Sequence, residues 1–355
     1  MAAGQSDGGA EELVALGADG YLGALERRAG DASVLDGASP LELPLVLAPQ
    51  VVLLPGGTLP MREHPAHPRW AMLDALLRGA GDALLAVAHE LPRPGEVCCV
   101  ARIERAARHT GDQAALVAVA RGVARAAVLS VRGGGDGAPV AVLRLLLEAT
   151  DRPLQPPALS AHAGAVWRSH RPEALAARLR SAPALLAVAD AAVLASLSPA
   201  ELSWHAAARL PLDARERHAL LQEASAAVRL HRLLAAVGED AVLCCASCGA
   251  RWADGKHVLT TGATGAFVNP HGYVHDMLTV HRAGNLVTYG APTAQDSWFP
   301  GHAWQIAHCR SCLEHAGWRF TAVPQAAQLP HLPAAFWGLR QGAFTHAARA
   351  DARLN

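Results

Sequence analysis

The sequence has almost no lysine, no net charge and no long hydrophobic run. Its 31 basic residues are thirty arginines and the single Lys256, and they balance 31 acidic residues. A neutral chain lacks the electrostatic footprint of a nucleic-acid-binding protein. The most apolar stretch, 184–197, is too short to span a membrane and contains Asp190. The N-terminal residues lack an apolar core, so we expect neither a secretory signal nor a transit peptide.

The cysteine pattern argues against a disulfide-bonded secreted protein. There are seven cysteines, an odd number, and all fall in pairs or short clusters. This usage favours reduced thiols and a metal over disulfides, which persist mainly in secreted proteins. We therefore expect a protein of the cytoplasm and nucleus. At 355 residues the chain is long enough for two or three domains with cores of their own.

Four of the cysteines form two Cys-x-x-Cys knuckles, Cys245 with Cys248 and Cys309 with Cys312. Four thiolates are the ligand set of a closed structural Zn²⁺ site. The 60 residues between the knuckles far exceed the roughly 15–20 of an ordinary zinc ribbon. A small β-domain must therefore lie between them, clamped at its ends by one zinc ion. Cys244 adjoins a ligand but lacks the spacing, which favours a buried apolar role.

Two short apolar runs cut by Pro and Gly, 41–47 and 51–60, predict a strand, a turn and a second strand. A short helix is predicted at 68–78, and further strands at 83–88, 97–103, 116–131 and 140–147. Residues 171–238 then change to helical signals, with capping boxes at Ser198 and Asp213. The second box predicts one longer helix that ends near Gly238. After Cys248 the pattern returns to strands.

Three tryptophans, Trp298, Trp304 and Trp318, surround the second knuckle, and Phe320 follows. A single tryptophan in a β-domain is most often core. Three of them near a metal clamp favour an aromatic cage. Such a cage suits a quaternary ammonium through cation–π attraction, or a flat neutral ring whose polar edge pairs with backbone groups. The turn 296–298 is placed to supply those backbone groups.

These motifs and their spacing resemble the cereblon family. The matching segments are 244–248, 267–275, 297–304, 309–312, 317–320 and 336–339. Upstream, 43–60 looks like the Lon N-terminal domain of that family, and 202–213 looks like its helical linker. The resemblance covers about residues 41 to 345 and is strongest in the last hundred.

The resemblance implies an α+β multidomain fold. The expected parts are a disordered leader (1–40), a mostly-β Lon N-terminal-like domain (41–150), an α-helical bundle linker (151–240), a zinc-bound antiparallel β domain of the CULT or β-tent type (241–345) and a tail (346–355). It implies a non-catalytic substrate receptor of a cullin–RING ubiquitin ligase, which binds thalidomide-like glutarimides and C-terminal cyclic-imide degrons. Neither nucleic acid nor membrane is an expected partner.

By motif match, the resemblance also names the ligand-binding residues. They are Trp298, Trp304, Trp318, Phe320, Asn269, Pro270, Asp296 and Ser297. The backbone of Asp296 and Trp298 would pair with the imide edge. Two features depart from the family pattern. Asp296 stands where the family has histidine, and the segment 147–171 is shorter, which bears on the adaptor interface in the linker.

Three other functions compete with this one. A zinc-bearing methionine sulfoxide reductase needs a nucleophilic cysteine, but only Cys98, Cys99 and Cys244 remain, none of them after Cys312. A Lon-type peptidase needs a Ser–Lys dyad, and the single Lys256 lies beside the first knuckle. An aromatic-cage reader of methylated or cationic ligands, without ligase association, stays open because Asp296 would attract a cation.

Overall fold

We describe the fold from a computed structural model. It describes residues 20–28, 35, 39–79, 81–110, 114–133, 138–146, 148, 171–186, 189–236, 241–259, 265–324 and 332–348. Three bodies follow one another along the chain: a β-barrel, a bundle of helices and a pair of antiparallel sheets. None of the helices in these ranges is long and apolar enough to cross a membrane.

The barrel is built from seven strands and one helix. In chain order they are β1 Glu26–Arg27, β2 Leu41–Leu47, β3 Thr58–Glu63, α1 Arg69–Arg78, β4 Leu84–Ala88, β5 Val97–His109, β6 Ala115–Arg132 and β7 Val140–Leu146. Strands β5, β4, β2, β7 and β6 pair in a closed circuit, because β5 also pairs with β6. The β2–β4 pair is parallel. Closure leaves β1 and β3 as additions to β5 and β6.

The strand predicted at 51–60 begins only at Thr58, so the prediction is wrong for the buried segment 51–54. This segment lies outside the sheet between the barrel and the helical bundle. Val51 and Leu53 pack into the barrel core, whereas Val52 and Leu54 pack into the bundle core. Its close approach requires Gly122, because a Cβ there would lie 2.4 Å from the carbonyl oxygen of Leu54. The alternating apolar residues of 51–54 therefore connect the barrel core to the bundle core.

Six helices make the bundle. They are α2 Pro172–Arg180, α3 Pro183–Leu186, α4 Ala191–Ser196, α5 Pro199–Arg209, α6 Ala214–Gln222 and α7 Ala226–Ala236. Both predicted capping boxes are confirmed, with Ser198 starting α5 and Asp213 starting α6. The single long helix predicted after Asp213 is wrong, because it breaks between α6 and α7. The Ser225 hydroxyl accepts a hydrogen bond from the N–H of Val228 and so begins a new helix. The predicted stop at Gly238 lies outside the described residues.

The C-terminal body consists of two antiparallel sheets. Its strands are β8 Ala241–Cys245, β9 Arg251–Asp254, β10 Gly265–Val268, β11 Val274–Val280, β12 Leu286–Thr293, β13 His302–Cys309, β14 His315–Ala322, β15 Ala335–Arg340 and β16 Phe344–Ala348. The larger sheet has the order β10-β11-β15-β14-β13-β12, and the smaller has the order β16-β8-β9. Because β16 reaches Ala348, the predicted tail at 346–355 is wrong for residues 346–348.

Residues 20–28 are ordered, so the disordered leader predicted for 1–40 is wrong there. Leu22 is buried, and the Tyr21 hydroxyl accepts a hydrogen bond of 2.8 Å from the N–H of Val268. Strand β1 adds to the barrel by pairing with Arg105 and Ala106. An isolated tyrosine in a polar segment gave no sequence signal for a partner 247 residues away.

A buried ion pair joins the bundle to the C-terminal body. Arg217 of α6 lies 3.1 Å from Asp276 of β11, and both side chains are almost fully buried. Arg217 also donates to the carbonyl oxygen of Ala208. Burial raises the pKa of Asp276, whereas Arg217 acts in the opposite direction. Removing one partner would therefore leave an uncompensated buried group.

We predict that Arg217→Ala lowers the free energy of unfolding by about 3–5 kcal/mol, the usual cost of breaking a buried pair. Arg132→Ala is the matched control. Its partner Glu42 lies 3.2 Å away and both side chains are exposed, so the expected loss is below about 1 kcal/mol. Urea unfolding followed by tryptophan fluorescence measures both. Equal shifts of the two variants would contradict the role given to the buried pair.

Candidate functional site

The four knuckle cysteines converge at one point between the two C-terminal sheets. The Sγ atoms of Cys245 and Cys312 are 3.6 Å apart, as are those of Cys248 and Cys309. All four lie within 4.8 Å of one another. A tetrahedral Zn²⁺ with bonds of about 2.3 Å requires sulfur atoms about 3.8 Å apart. The donor set and its spacing therefore fit one zinc ion held by these four thiolates.

The two knuckles have the same local geometry. Each begins at the end of a strand, with Cys245 closing β8 and Cys309 closing β13. In each, the residue four positions on donates its N–H to the carbonyl of the first cysteine over 2.9 Å. That residue is Gly249 in one knuckle and Leu313 in the other, and both have positive φ. Burial raises the pKa of Cys309, but the N–H groups of its own knuckle, together with hydrogen bonds from Trp252 and Cys248, lower that pKa to about 6 and favour a thiolate.

We predict that Cys245→Ser abolishes zinc binding and unfolds the C-terminal body. A structural Zn²⁺ supplies about 10–16 kcal/mol in small modules, as much as a whole domain's stability. The adjacent Cys244→Ser is the control, since Cys244 is buried but outside the metal cluster. Metal content by atomic emission and the tryptophan emission maximum measure both effects. Full zinc content in Cys245→Ser would show that the cluster is not a metal site.

The C-terminal body also contains a cavity of about 170 Å³ with aromatic walls. Seven of the eight predicted ligand residues line it. The complete lining is Asn269, Pro270, His271, His275, Asp296, Trp298, Trp304, Trp318 and Phe320. Ser297 is the eighth predicted residue, and it does not line the cavity. Its hydroxyl instead donates to the carbonyl of Phe299 over 3.2 Å and so holds the turn.

The register of two paired strands explains why the aromatic residues meet. Trp304 of β13 lies opposite Phe320 of β14. Trp318 precedes Phe320 by two residues, so its side chain projects from the same face of β14. Trp298 closes the cage from the preceding turn, with its ring centroid 4.9 Å from that of Trp318 at 78°. The cage therefore follows from one hairpin and the turn before it.

The indole rings of Trp298 and Trp304 are held in place by hydrogen bonds from their ring N–H groups. Trp298 donates to the carbonyl of Val268 over 3.0 Å, and Trp304 donates to that of Gln295 over 2.8 Å. A second aromatic layer supports the cage from below, where Phe299 packs on Phe320 with ring centroids 4.7 Å apart. The cage therefore presents ring faces to a ligand, since these two N–H donors are already used.

The barrel holds the loop that forms the opposite wall. His64, which follows β3, lies with its Nε2 2.7 Å from the carbonyl oxygen of Pro270. Gly272 is needed where the loop meets the barrel, because a Cβ there would lie 2.6 Å from the Arg62 carbonyl. The Asn269 side chain accepts hydrogen bonds from two N–H groups of its own loop. One wall of the cavity thus depends on residues about 200 positions upstream.

Sequence reasoning missed two residues of the cavity, His271 and His275. Both lie in the motif 267–275, but nothing in their spacing distinguished them from other polar loop residues. The His275 ring centroid lies 5.0 Å from that of Trp318. Burial, reinforced by Arg340 and His315, lowers the pKa of His275 to about 4. His275 is therefore neutral near pH 7.

Family comparison agrees with both halves of this architecture. Residues 42–237 match the family model of the ATP-dependent protease La (LON) substrate-binding domain. The chain is also 32% identical over 372 residues to protein cereblon of Xenopus tropicalis, covering 91% of this chain and 82% of the relative. The chain belongs to the cereblon family. Identity rises to 41% over 150 residues with the cereblon proteins of Danio rerio and Gallus gallus, where the match spans about a third of each relative.

Two solved structures resemble about half of this chain. One is a Lon N-terminal domain protein from Xanthomonas campestris, with a TM-score of 0.38 and 24% identity over 55% of this chain and 98% of that one. The other is the N-terminal domain of Mycobacterium avium complex Lon protease, with a TM-score of 0.40 and 20% identity over 56% and 98%. The family membership confirms the predicted cereblon-like fold: a Lon-type domain, helices and a C-terminal β region with the four-cysteine cluster.

We predict that His275 makes the C-terminal body less stable as the pH falls. Its folded pKa is about 4, whereas an unfolded histidine has a pKa of about 6.5. The unfolded chain therefore takes up a proton that the folded chain refuses, and stability is lost from pH 6.5 towards pH 4. His275→Gln should lose less stability between pH 7.5 and 5 than the parent protein, measured by urea unfolding.

The exposed neighbour His271 supplies the control for that measurement. His271→Gln removes an exposed imidazole from the same loop and leaves His275 in place. It should follow the parent protein across the same pH range. Loss of zinc in acid affects all three proteins alike, so it cancels in the comparison. A parallel pH dependence in the parent protein and His275→Gln would refute the prediction.

Proposed function

We propose that this protein is the substrate receptor of a cullin–RING ubiquitin ligase, and that its aromatic cavity binds cyclic imides. The ligands would be glutarimide compounds and proteins that end in a cyclic imide. The observation that carries this proposal is a cavity of one-ring size beside two residues with free backbone groups. Family membership supports the assignment, and the size, polarity and charge of the cavity support the ligand class.

The volume of the cavity favours a single small ring. Its 170 Å³ is close to the roughly 150 Å³ cavity that takes up benzene in an engineered protein. A six-membered imide ring is of similar size. Trp298, Trp304 and Trp318 would enclose it by their faces, and burial of those faces supplies most of the affinity. A folded peptide segment is far too large for this space.

The backbone of the turn matches the polar edge of an imide. Gln295 and Phe299 already use backbone groups inside the turn, and the N–H of Ser297 donates to Ala294. The backbone groups of Asp296 and Trp298, in contrast, bond to no described residue. An imide edge reads acceptor, donor, acceptor, so it needs two N–H groups and one carbonyl. The two residues predicted for that pairing are the two that remain free.

The proposal also assigns roles to the zinc ion and to the helical bundle. The zinc ion would be structural, because its four protein ligands leave no open position for a substrate. The helical bundle would contact the ligase adaptor, because the cereblon family docks its adaptor through this linker region. Action in the cytoplasm and nucleus, where such ligases work, belongs to the same proposal.

An enzymatic reductase has no support in the cavity. A reductase of this kind needs an activated thiolate next to the ligand. The lining contains no cysteine. Cys98 and Cys99 are buried in the barrel, and burial raises the pKa of Cys98 to about 12. The non-catalytic receptor is therefore the better proposal.

The competing proposal, a reader of methylated lysine, rests on Asp296 at the edge of the cavity. Titration of the full chain with glutarimide and with a trimethyl-lysine peptide, followed by tryptophan fluorescence, separates the two functions. We expect saturable quenching by glutarimide and none by the peptide. Quenching by the peptide alone would reject the imide proposal in favour of the reader.

We predict that Trp304→Ala weakens glutarimide binding at least about thirtyfold, the effect of losing a ~2 kcal/mol hot spot. Trp337→Ala is the matched control, because Trp337 is a half-buried tryptophan of the same sheet outside the cavity. Both variants should keep a full zinc content. If Trp304→Ala loses its zinc, or if both variants lose binding equally, Trp304 is core rather than a cage wall.

A further inference from the structure

Asp296 places an exposed carboxylate at the edge of the aromatic cavity. We propose that this carboxylate makes the protein select cyclic imides whose attached arm carries a positive charge. The preferred class is an imide joined through a short arm to an ammonium or guanidinium group, such as a peptide with a basic residue just before the imide. This inference rests on the proposed function and adds a charge preference to it.

The cavity has room for the ring but not for what is attached to it. Its 170 Å³ approximates the volume that one benzene-sized ring requires. Trp298, Trp318 and Phe320 are buried, whereas His271 and Asp296 are exposed. The arm of a bound imide must therefore leave past the exposed part of the lining. Asp296 lies on that path.

The backbone fixes Asp296 there before any ligand binds. Its φ of 55° is a left-handed conformation, which Asp and Asn adopt more readily than most residues. The turn is anchored on one side by the Trp304 indole, which donates to the carbonyl of Gln295. On the other side, the Ser297 hydroxyl accepts from the N–H of Phe299. Because the backbone is held on both sides, Asp296 would favour a positively charged arm without a conformational change on binding.

The charge of Asp296 has no counter-ion within the described parts of the chain. None of the ion pairs there includes Asp296. The rest of the cavity lining consists of aromatic, imidazole, amide and proline side chains, and His275 is neutral near pH 7. A cation on the arm thus meets an uncompensated carboxylate, whereas an anion on the arm meets repulsion.

The same chemistry does not favour a free cation inside the cage. The carboxylate is exposed at the mouth rather than buried among the indoles. The backbone N–H and carbonyl groups of Asp296 and Trp298, which bond to no described residue, are neutral and suit an imide edge. We therefore assign the ring to the cavity and the cation to the arm.

The test compares three glutarimides whose arms have equal length and end in an ammonium, a hydroxyl or a carboxylate group. Each is titrated into the full chain and into Asp296→Asn, at about 50 and 300 mM salt, with tryptophan fluorescence as the readout. Asn tolerates the same positive φ, so the turn is retained. Glu90→Gln, an exposed carboxylate on the barrel, controls for the loss of one net charge. Zinc content checks the folding of each variant.

We expect the parent protein to bind the ammonium ligand about fivefold more tightly than the hydroxyl ligand at low salt, and the carboxylate ligand more weakly than either. High salt should reduce this preference. In Asp296→Asn the three affinities should come within about twofold of one another, while Glu90→Gln should behave like the parent protein.

Two results would overturn the inference, and they are distinguishable. If the parent protein binds all three imides equally, or if Asp296→Asn keeps the ammonium preference, Asp296 does not select the arm although imide binding stands. If none of the three glutarimides binds a zinc-loaded parent protein, the proposed function fails and the charge preference fails with it.

Discussion

The convergence of four cysteine sulfur atoms is the feature around which the C-terminal body is arranged. One knuckle follows a strand of the small sheet and the other follows a strand of the large one, and their four sulfur atoms lie within 4.8 Å of one another, a spacing that suits one shared metal ion. The second knuckle is also the turn of the β13–β14 hairpin. Trp304 lies on one arm of that hairpin, and Trp318 on the other. A clamp on the turn therefore also sets the register of the two strands that carry the cage.

The cavity nevertheless belongs to two parts of the protein. The hairpin supplies its rigid aromatic walls, but the loop at Pro270 is held by His64 of the barrel segment and by close contact at Gly272. Arg217 and Asp276 tie the bundle to the strand that follows this loop. An isolated C-terminal domain would keep the four cysteines and the indoles but lose the support of one wall. The Lon-type domain thus acts as a scaffold for that wall of the cavity.

How much could be predicted depends on how local each interaction is. Cysteine spacing, capping boxes and the tryptophan motif are short-range patterns, and they located the four-cysteine cluster, two helix starts and the four aromatic residues of the cavity. The family resemblance added Asn269, Pro270 and Asp296. The contacts of His64 and Tyr21 span more than 200 residues, and a sequence records no such pairing. The break at Ser225 was missed because its apolar spacing continues across a capping residue.

The electrostatics of the site explain why these parts suit a neutral ring better than a bare cation. Burial keeps His275 uncharged, the ring N–H groups of Trp298 and Trp304 are bonded to carbonyls, and the neutral backbone groups of Asp296 and Trp298 bond to no described residue. The charged group of the lining is the carboxylate of Asp296, which is exposed and therefore screened by water. An interaction of that kind adds little affinity, because an exposed carboxylate is well solvated. It can still discriminate among ligands, since the ring contributes equally to all of them and the arm alone differs.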